Sequence, residues 1–156
     1  MREVAQRMSD TTRELFASMM GLHAEEGPLV DLPDAVTDTE IVAFIGLSGG
    51  SVGMVGVYSS SSLARRIAGA MLATELPVGD DEVRDAFGEV ANIIAGNIAT
   101  FLCDRGETIQ LSLPSVIVGK SLVTSILNTI PPRRATKFSV SGEELYVELA
   151  LRRHED

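Results

Sequence analysis

Glu89 and Asn92 are the residues of this 156-residue sequence whose types and spacing could do chemistry. They lie three residues apart, which makes them neighbours on one face of an α-helix. An asparagine amide offers a donor and an acceptor on one rigid plane, so it can hold a water molecule in line with an electrophile. A glutamate can anchor a partner through a lysine or an arginine. The pair is therefore a candidate for docking a partner and positioning a water molecule.

The pair lies in segment 80–102, which is predicted to be one long helix. Its apolar residues recur at every third or fourth position, at Val83, Phe87, Val90, Ile94, Ile98 and Phe101. At about 100° per residue, Glu89 and Asn92 point nearly opposite this stripe, toward solvent. Gly88 and Gly96 flank them, although a glycine within a helix costs roughly 0.5–1 kcal/mol relative to alanine. Close approach of another molecule is the explanation we favour; the alternative is close packing of an internal helix beside a merely solvated pair.

The other reactive residues give weaker signals. His23 lies just beyond the first helix and His154 lies in the charged tail, so neither has a plausible catalytic or metal-binding context. The single cysteine, Cys103, cannot form an internal disulfide and fits a small buried thiol better than a nucleophile. The acidic residues between 80 and 85 are better explained by helix capping and solvation than by cation binding. We therefore predict no metal or cofactor site in this chain.

The composition is that of a compact globular protein. The chain is 45% apolar, and its length fits a single domain over 1–156 with a real core. Its formal charge of −9 disfavours nucleic acid and anionic lipid, because phosphates require a basic surface. No apolar run approaches the roughly 20 residues of a bilayer span, and the N-terminus lacks the apolar region of a secretory signal. We expect a cytoplasmic protein that binds neither nucleic acid nor membrane.

The elements that must position the pair follow from periodicity and turn residues. They are a helix over 2–22, a loop over 23–39, a hairpin over 40–60, a short helix over 62–72, the long helix, a strand over 107–119, a segment over 120–130 that fits helix or strand, and a hairpin of about 136–141 with 144–152. The serines at 59–62 offer an N-cap for the short helix, and the last hairpin turns near Ser141-Gly142. The first hairpin turns at Ser48-Gly49-Gly50, and Asp80 or Asp81 caps the long helix. Pro114 cannot donate to a strand ladder, so its strand lies at an edge or breaks there.

A helix followed by paired strands occurs twice in this order. The repetition predicts two structurally similar halves. The fold class is therefore α+β, with helices packed on a mainly antiparallel sheet.

The residues around the pair resemble a known family. The stretch DAFGEVANIIAGNIATFL, residues 85–102, is similar to the central helix of the CheC/CheX/FliY phosphatases of bacterial chemotaxis, and to CheX proteins in particular. The hairpin GLSGGSVGMVGVYSS, the short helix after it and the strand LSLPSVIVG also agree. The likeness runs from about residue 40 to 122. It implies the CheC-like fold.

The resemblance also implies an activity and a partner. In that family an E-x-x-N motif carries the functional pair, which corresponds here to Glu89 and Asn92. The implied reaction is dephosphorylation of the aspartyl phosphate of a CheY-like response regulator, with Asn92 orienting the attacking water and Glu89 pairing with a regulator lysine. Asp85, Gly88 and Gly96 would lie on the docking surface. No cofactor would bind this chain, and the Mg²⁺ ion would belong to the regulator.

One departure from the family pattern concerns the first helix. Proteins of the CheC type repeat the motif there, whereas this chain has Glu14 followed by Ala17. The resemblance thus implies one active site per chain, and also a homodimer through the sheet, for which the apolar edge near 111–118 is suitable. Two alternatives stay open: a non-catalytic module that docks a phosphorylated receiver domain, and a structural component related to the flagellar switch proteins.

Overall fold

The computed structural model describes residues 2–32, 38–121, 123, 125 and 133–153. The helices are α1 (Arg2–Leu15), continued by a π-helical turn (Phe16–Met20), α2 (Ser61–Met71) and α3 (Asp80–Asp104). The strands are β1 (Ala24–Leu32), β2 (Ile41–Gly49), β3 (Ser51–Ser59), β4 (Ile109–Leu111), β5 (Ser115–Val118), β6 (Arg133–Val140) and β7 (Glu143–Arg153). The fold is α+β, as predicted, and the three helices pack on one face of the sheet.

The sheet order confirms two structurally similar halves. The strands run β1-β6-β7-β3-β2, with β4 and β5 both paired to β2, and each of these pairings is antiparallel. Each half contributes a helix, an edge strand and a hairpin, and each edge strand pairs with the hairpin of the other half. Strand β1 therefore corresponds to β4 and β5, the hairpin β2–β3 to β6–β7, and α1 to α3.

Strand β1 lies where the sequence predicts a loop, so that prediction is wrong for residues 24–32. The pairing of β1 with β6 shifts by one residue, which places Gly27-Pro28 opposite Lys137 in a β-bulge. A Cβ at Gly27 would lie 2.8 Å from the carbonyl oxygen of Lys137, and Pro28 lacks the amide hydrogen that an inner strand needs. The glycine and the proline here indicate a bulged edge strand.

The opposite edge of the sheet carries the equivalent bulge, between β4 and β5. The two strands pair with β2 in registers that differ by one residue, so three edge residues face only Ile45 and Gly46. The N–H of Ser112 donates to the Gly46 carbonyl at 2.9 Å, which leaves Leu113-Pro114 opposite Ile45. Leu113-Pro114 thus corresponds to Gly27-Pro28 of the first half. The prediction that Pro114 interrupts an edge strand is confirmed.

Helix α3 is the central helix of the core. Its predicted apolar stripe is confirmed, since Val83, Phe87, Val90, Ile94 and Ile98 are buried and Phe101 is half-buried. Among the described residues, α3 is also the one helix with the length and hydropathy of a bilayer span, at a mean hydropathy of 1.4. The sequence-based statement that no run approaches a span was therefore too strong. Because 56% of the apolar window is buried inside the protein, the hydropathy of α3 is explained by its place in the core.

The helix caps agree with prediction for α2 and differ for α3. The Ser60 hydroxyl accepts a hydrogen bond of 3.1 Å from the N–H three residues later, within the predicted serine run. The N-cap of α3 is Gly79 rather than Asp80 or Asp81, and the Gly79 N–H donates to Glu82 Oε1 at 3.0 Å. The Asp80 carboxylate forms an ion pair with an arginine of α2 instead, so it holds the two helices together at this end.

Both predicted hairpin turns are present. Gly49 has a φ of +121° between β2 and β3, and Ser141-Gly142, with φ of +52° and +82°, connects β6 to β7. Residues 120 and 121 are helical, and most of the segment 120–130 lies outside the described residues.

The sheet face away from the helices contains a buried carboxylate, that of Glu148 on β7. Glu148 is 0% exposed, and its Oε1 accepts hydrogen bonds from the Tyr58 hydroxyl at 2.6 Å and from Arg133 Nη2 at 3.2 Å. Arg133 Nε pairs with the other carboxylate oxygen. Gly56 faces Glu148 across the sheet, and a Cβ there would lie 3.2 Å from Oε1. Burial, and then the Glu148 carboxylate, raise the pKa of the Tyr58 hydroxyl, which keeps it a neutral donor.

Candidate functional site

Glu89 and Asn92 lie on the outward face of α3, in the middle of the helix. Glu89 is exposed and Asn92 is half-buried. Within the described part of the chain, neither side chain has a hydrogen-bond or ion-pair partner. The helix rises about 1.5 Å per residue, so the two residues are separated by roughly one turn along its axis. The structure therefore presents a carboxylate and an amide side by side with their polar groups available to another molecule.

Two uncharged polar residues further along α3 differ from Asn92 in having hydrogen-bond partners. The Asn97 amide donates to the carbonyl of Ile93 at 3.1 Å, and the Thr100 hydroxyl donates to the carbonyl of Gly96 at 3.0 Å. Both side chains are thus engaged by their own helix. Asn92 makes no such bond, so its donors and its acceptor can all serve a partner or a water molecule.

The two glycines beside the pair have different surroundings. Gly88 is buried, and a Cβ there would lie 3.3 Å from Val116 Cγ2 and 3.6 Å from Pro114 Cβ. Close packing within this chain, the alternative explanation, accounts for Gly88. A Cβ at Gly96 would have no atom of the described residues within 4 Å. Internal packing gives no reason for that glycine, and open space remains beside Asn92.

The first half of α3 makes the surroundings of the pair acidic. Asp81, Glu82 and Asp85 are exposed and precede Glu89 on the helix. Their carboxylates complement the positive N-terminal end of the helix dipole. Within 81–89 four carboxylates outnumber the single cation, Arg84, so the net negative charge favours a cationic group on an approaching partner.

The other reactive groups stand apart from the pair. Cys103 is exposed in the last turn of α3, so the prediction of a buried thiol is wrong. It lies roughly 16 Å along the helix axis from Asn92, by the rise per residue. His23 is exposed beyond α1, and His154 lies outside the described residues. Across the described ranges, no three His, Cys, Asp or Glu side chains are grouped as a metal site would require. The site can pair with a cation and orient a water molecule, and neither Cys103 nor His23 is placed beside the pair to take part in its chemistry.

Leu113 belongs to the strand LSLPSVIVG, which carries part of the family resemblance, but the sequence did not predict that its side chain is exposed beside the site. Leu113 is 87% exposed, and the next residue, Pro114, packs against Gly88. An apolar residue in a strand pattern is ordinarily assigned to the core, so nothing but the adjoining Pro114 could have indicated its exposure.

Comparison with known proteins identifies a family whose model matches the part of the chain that contains the site. Residues 41–129 match the family model described as chemotaxis phosphatase CheX, and this range contains α3 and both edge strands of the second half. A protein of Thermotoga maritima named CheY-P phosphatase CheX is 28% identical over 142 residues, which cover 87% of this chain and 88% of that protein.

Solved structures share the fold over nearly the whole chain. The crystal structure of a chemotaxis protein CheX from Desulfovibrio desulfuricans is 25% identical, with a TM-score of 0.76, and the match covers 96% of this chain and 99% of that one. A chain in the CheX–CheY–BeF3–Mg²⁺ complex from Borrelia burgdorferi is 22% identical, with a TM-score of 0.76 and coverage of 96% and 98%.

Proposed function

This chain belongs to the CheX family of chemotaxis phosphatases, and from that membership we propose that it hydrolyses the aspartyl phosphate of a CheY-like response regulator. The single observation that carries the proposal is the free Asn92 amide one helical turn from the exposed Glu89 carboxylate. The names of the relatives support the same substrate, since one is called a CheY-P phosphatase and another was crystallised with CheY.

In the proposed reaction Asn92 enters the active site of the regulator and orients a water molecule toward the phosphorus. The water oxygen forms a bond to phosphorus as the acyl oxygen leaves, so the products are inorganic phosphate and a free aspartate carboxylate. An acyl phosphate is already reactive, and holding one water molecule in line is therefore sufficient catalysis. The Mg²⁺ ion of the regulator stabilises the transferring group, and this chain contributes no cofactor.

Glu89 fixes the docking in this proposal by pairing with a lysine beside the phosphorylation site of the regulator. Its carboxylate is exposed and unpaired among the described residues, so it can meet that lysine without breaking an internal contact. Asp85 lies one turn earlier and extends the negative surface toward the same partner. Gly96 lets the helix backbone come close to the regulator.

We further propose that the protein is cytoplasmic, where response regulators act, and that it forms a homodimer. The outer edge of the second half supports the dimer, because β5 pairs with β2 on one side and its residues Ile117 and Val118 stay partly exposed. A second copy could add to this edge through strand pairing. Light scattering at several protein concentrations measures the oligomeric state.

A time course of phosphate release tests the proposed activity. Purified receiver domains are phosphorylated with a small phosphodonor, freed of it, and followed with and without this protein. The proposal requires a faster loss of phosphate from at least one receiver. A protein that binds the phosphorylated receiver and leaves its phosphate lifetime unchanged is a docking module and not a phosphatase.

Replacing Glu89 with glutamine is expected to weaken docking more than chemistry. The amide cannot pair with a lysine as a carboxylate does, so KM for the phosphorylated receiver should rise by about tenfold while kcat changes little. Glu14→Gln is the matched control, because Glu14 is an exposed glutamate of α1 in the half that has Ala17 in place of the amide. The two KM values are measured from initial rates against receiver concentration. Equal effects of the two variants would show that Glu89 does not contribute to the interface.

Replacing Gly96 with alanine is expected to raise stability and lower activity together. Alanine in a helix is favoured over glycine by about 0.5–1 kcal/mol, and the new methyl group meets no atom within 4 Å in the part of the chain that the structure describes. The same methyl group stands on the docking face, where it holds the regulator away. Gly69→Ala in α2 should bring a similar gain without the loss, since its Cβ would make only an ordinary contact, 3.5 Å from the Thr74 carbonyl. Urea unfolding and phosphate release report the two effects, and unchanged release with Gly96→Ala would contradict the close approach.

A further inference from the structure

Leu113 is the most exposed of the large apolar side chains in the described residues, at 87%. Its exposure follows from the bulge between β4 and β5. The inserted residue breaks the alternation that would place a strand residue against the core, and bulges near sites commonly re-aim a side chain in this way.

The backbone around Leu113 is held firmly. The Ser112 N–H donates to the Gly46 carbonyl at 2.9 Å, and the Gly46 N–H donates back to Ser112 Oγ at 2.8 Å. The Ser112 hydroxyl in turn donates to the Leu113 carbonyl at 3.0 Å. On the other side, Pro114 packs on Gly88. Leu113 is therefore an apolar side chain held out to solvent by a preorganised backbone, which keeps the entropy cost of binding low.

The same contacts place Leu113 beside the Glu89–Asn92 pair. Pro114 lies against α3 at Gly88, the residue directly before Glu89, since a Cβ at Gly88 would be 3.6 Å from Pro114 Cβ. Leu113 is one peptide, about 3.8 Å between Cα atoms, from Pro114. A specific protein interface buries about 800 Å² on each partner, an area that spans well over this separation. A protein seated on the pair can therefore reach Leu113 as well.

The two halves of the fold provide an internal comparison. The second half has the amide of Asn92 on its helix and Leu113 at its bulge. The first half has Ala17 on its helix and Gly27 at the corresponding bulge. At the position of Leu113 the first half therefore has no side chain, and its own exposed leucine, Leu29, lies on the other side of the proline. The half that has the amide is thus the one whose bulge carries an apolar side chain directly before the proline.

We infer that Leu113 is an apolar anchor for the response regulator that docks on α3, and that it contacts an apolar surface next to the phosphorylation site of that partner. This inference rests on the proposed function. According to this inference, Leu113 contributes part of the binding affinity for the regulator, in addition to the contribution of Glu89. Residues that fill well-packed, desolvated pockets near the centre of an interface are the ones whose truncation costs most.

The test measures docking and chemistry separately. The affinity is measured by calorimetry with a receiver domain loaded with beryllofluoride and Mg²⁺, and KM and kcat are measured with the phosphorylated receiver. Leu113→Ala should weaken binding and raise KM by about tenfold with kcat within about twofold of the parent. Leu113→Met, which restores an apolar side chain of similar volume, should recover most of the affinity. The control is Leu29→Ala, since Leu29 is 61% exposed beside the bulge of the other half and should have no effect.

Two results would overturn the inference. One is parental affinity and KM in Leu113→Ala. The other is a change of oligomeric state in that variant with the receiver affinity retained, which would assign Leu113 to a contact with a second copy. Failure of the proposed function is a different result, in which the parent protein binds the receiver and leaves its phosphate lifetime unchanged. The affinity comparison still decides the role of Leu113 in that case.

Discussion

Replacing Asn92 with alanine is expected to remove the stimulated loss of phosphate from the regulator and to leave the fold intact. In the proposed reaction the amide makes its contribution when the water molecule attacks, so its removal should lower the stimulated rate by about 100-fold or more. Asn92 has no bonding partner among the described residues, and alanine is a better helix former. The free energy of unfolding should therefore stay the same or rise by a few tenths of a kcal/mol.

The helix itself offers the control for this variant. Asn97 is an asparagine of α3 whose amide already donates to the Ile93 carbonyl at 3.1 Å. Asn97→Ala removes the same chemical group from the same helix and should retain nearly all of the stimulation. The beryllofluoride-loaded receiver should bind Asn92→Ala almost as well as it binds the parent, because Glu89 and the rest of the docking face remain. If Asn92→Ala and Asn97→Ala accelerate phosphate loss equally, the amide does not position the water molecule.

The predictability of this site from sequence follows from the periodicity of α3. The helix is amphipathic over seven turns, so the buried stripe and the exposure of Glu89 were assigned correctly from spacing alone, whereas Asn92 is half-buried rather than fully exposed. Spacing could not reveal which polar groups remain free. That Asn97 bonds to its own helix and Asn92 does not depends on side-chain conformation, which a periodic pattern does not encode.

The errors in the predicted fold concern residue types that occur in two kinds of local structure. Gly27-Pro28 is typical of a loop, and it forms instead the bulge of an edge strand, because Pro28 needs no ladder donor there and Gly27 tolerates the Lys137 carbonyl. Only the pairing with β6, which is far away in sequence, distinguishes a bulged edge strand from a loop. Gly88 is similar, since the neighbours that leave little room for a larger residue are Pro114 and Val116, which come later in the chain than α3.

The largest effect on stability is expected from Glu148→Ala. The variant leaves Arg133 and the buried Tyr58 hydroxyl without their shared acceptor, and breaking a buried ion pair by removing one partner typically costs about 3–5 kcal/mol. Arg133 keeps a quarter of its side chain exposed and can turn toward water, so the lower end, about 3 kcal/mol, is the expected loss. Tyr58→Phe, which removes one hydrogen bond, should cost about 1–1.5 kcal/mol.

A second glutamate on β7 provides the comparison that isolates burial. Glu144 has the same kinds of partner, the Tyr146 hydroxyl at 2.5 Å and Lys137 Nζ at 2.7 Å, but its side chain is 50% exposed. Water replaces those contacts when they are lost, so Glu144→Ala should lower the unfolding free energy by no more than about 1 kcal/mol. Equal losses in the two alanine variants, measured by urea unfolding, would mean that burial of Glu148 does not determine its contribution.

The pH dependence of the same group follows from the raised pKa of Tyr58. In the unfolded chain a tyrosine ionises near its ordinary value of 10, whereas the folded protein holds Tyr58 neutral to higher pH. Unfolding therefore releases a proton above pH 10, and the contribution of the Tyr58–Glu148 bond is fully present below that pH and decreases above it. Because Tyr58→Phe has no hydroxyl to ionise, its stability should decline less steeply than that of the parent above pH 10. Parallel declines of the two proteins would show that the ionisation of Tyr58 is not linked to unfolding.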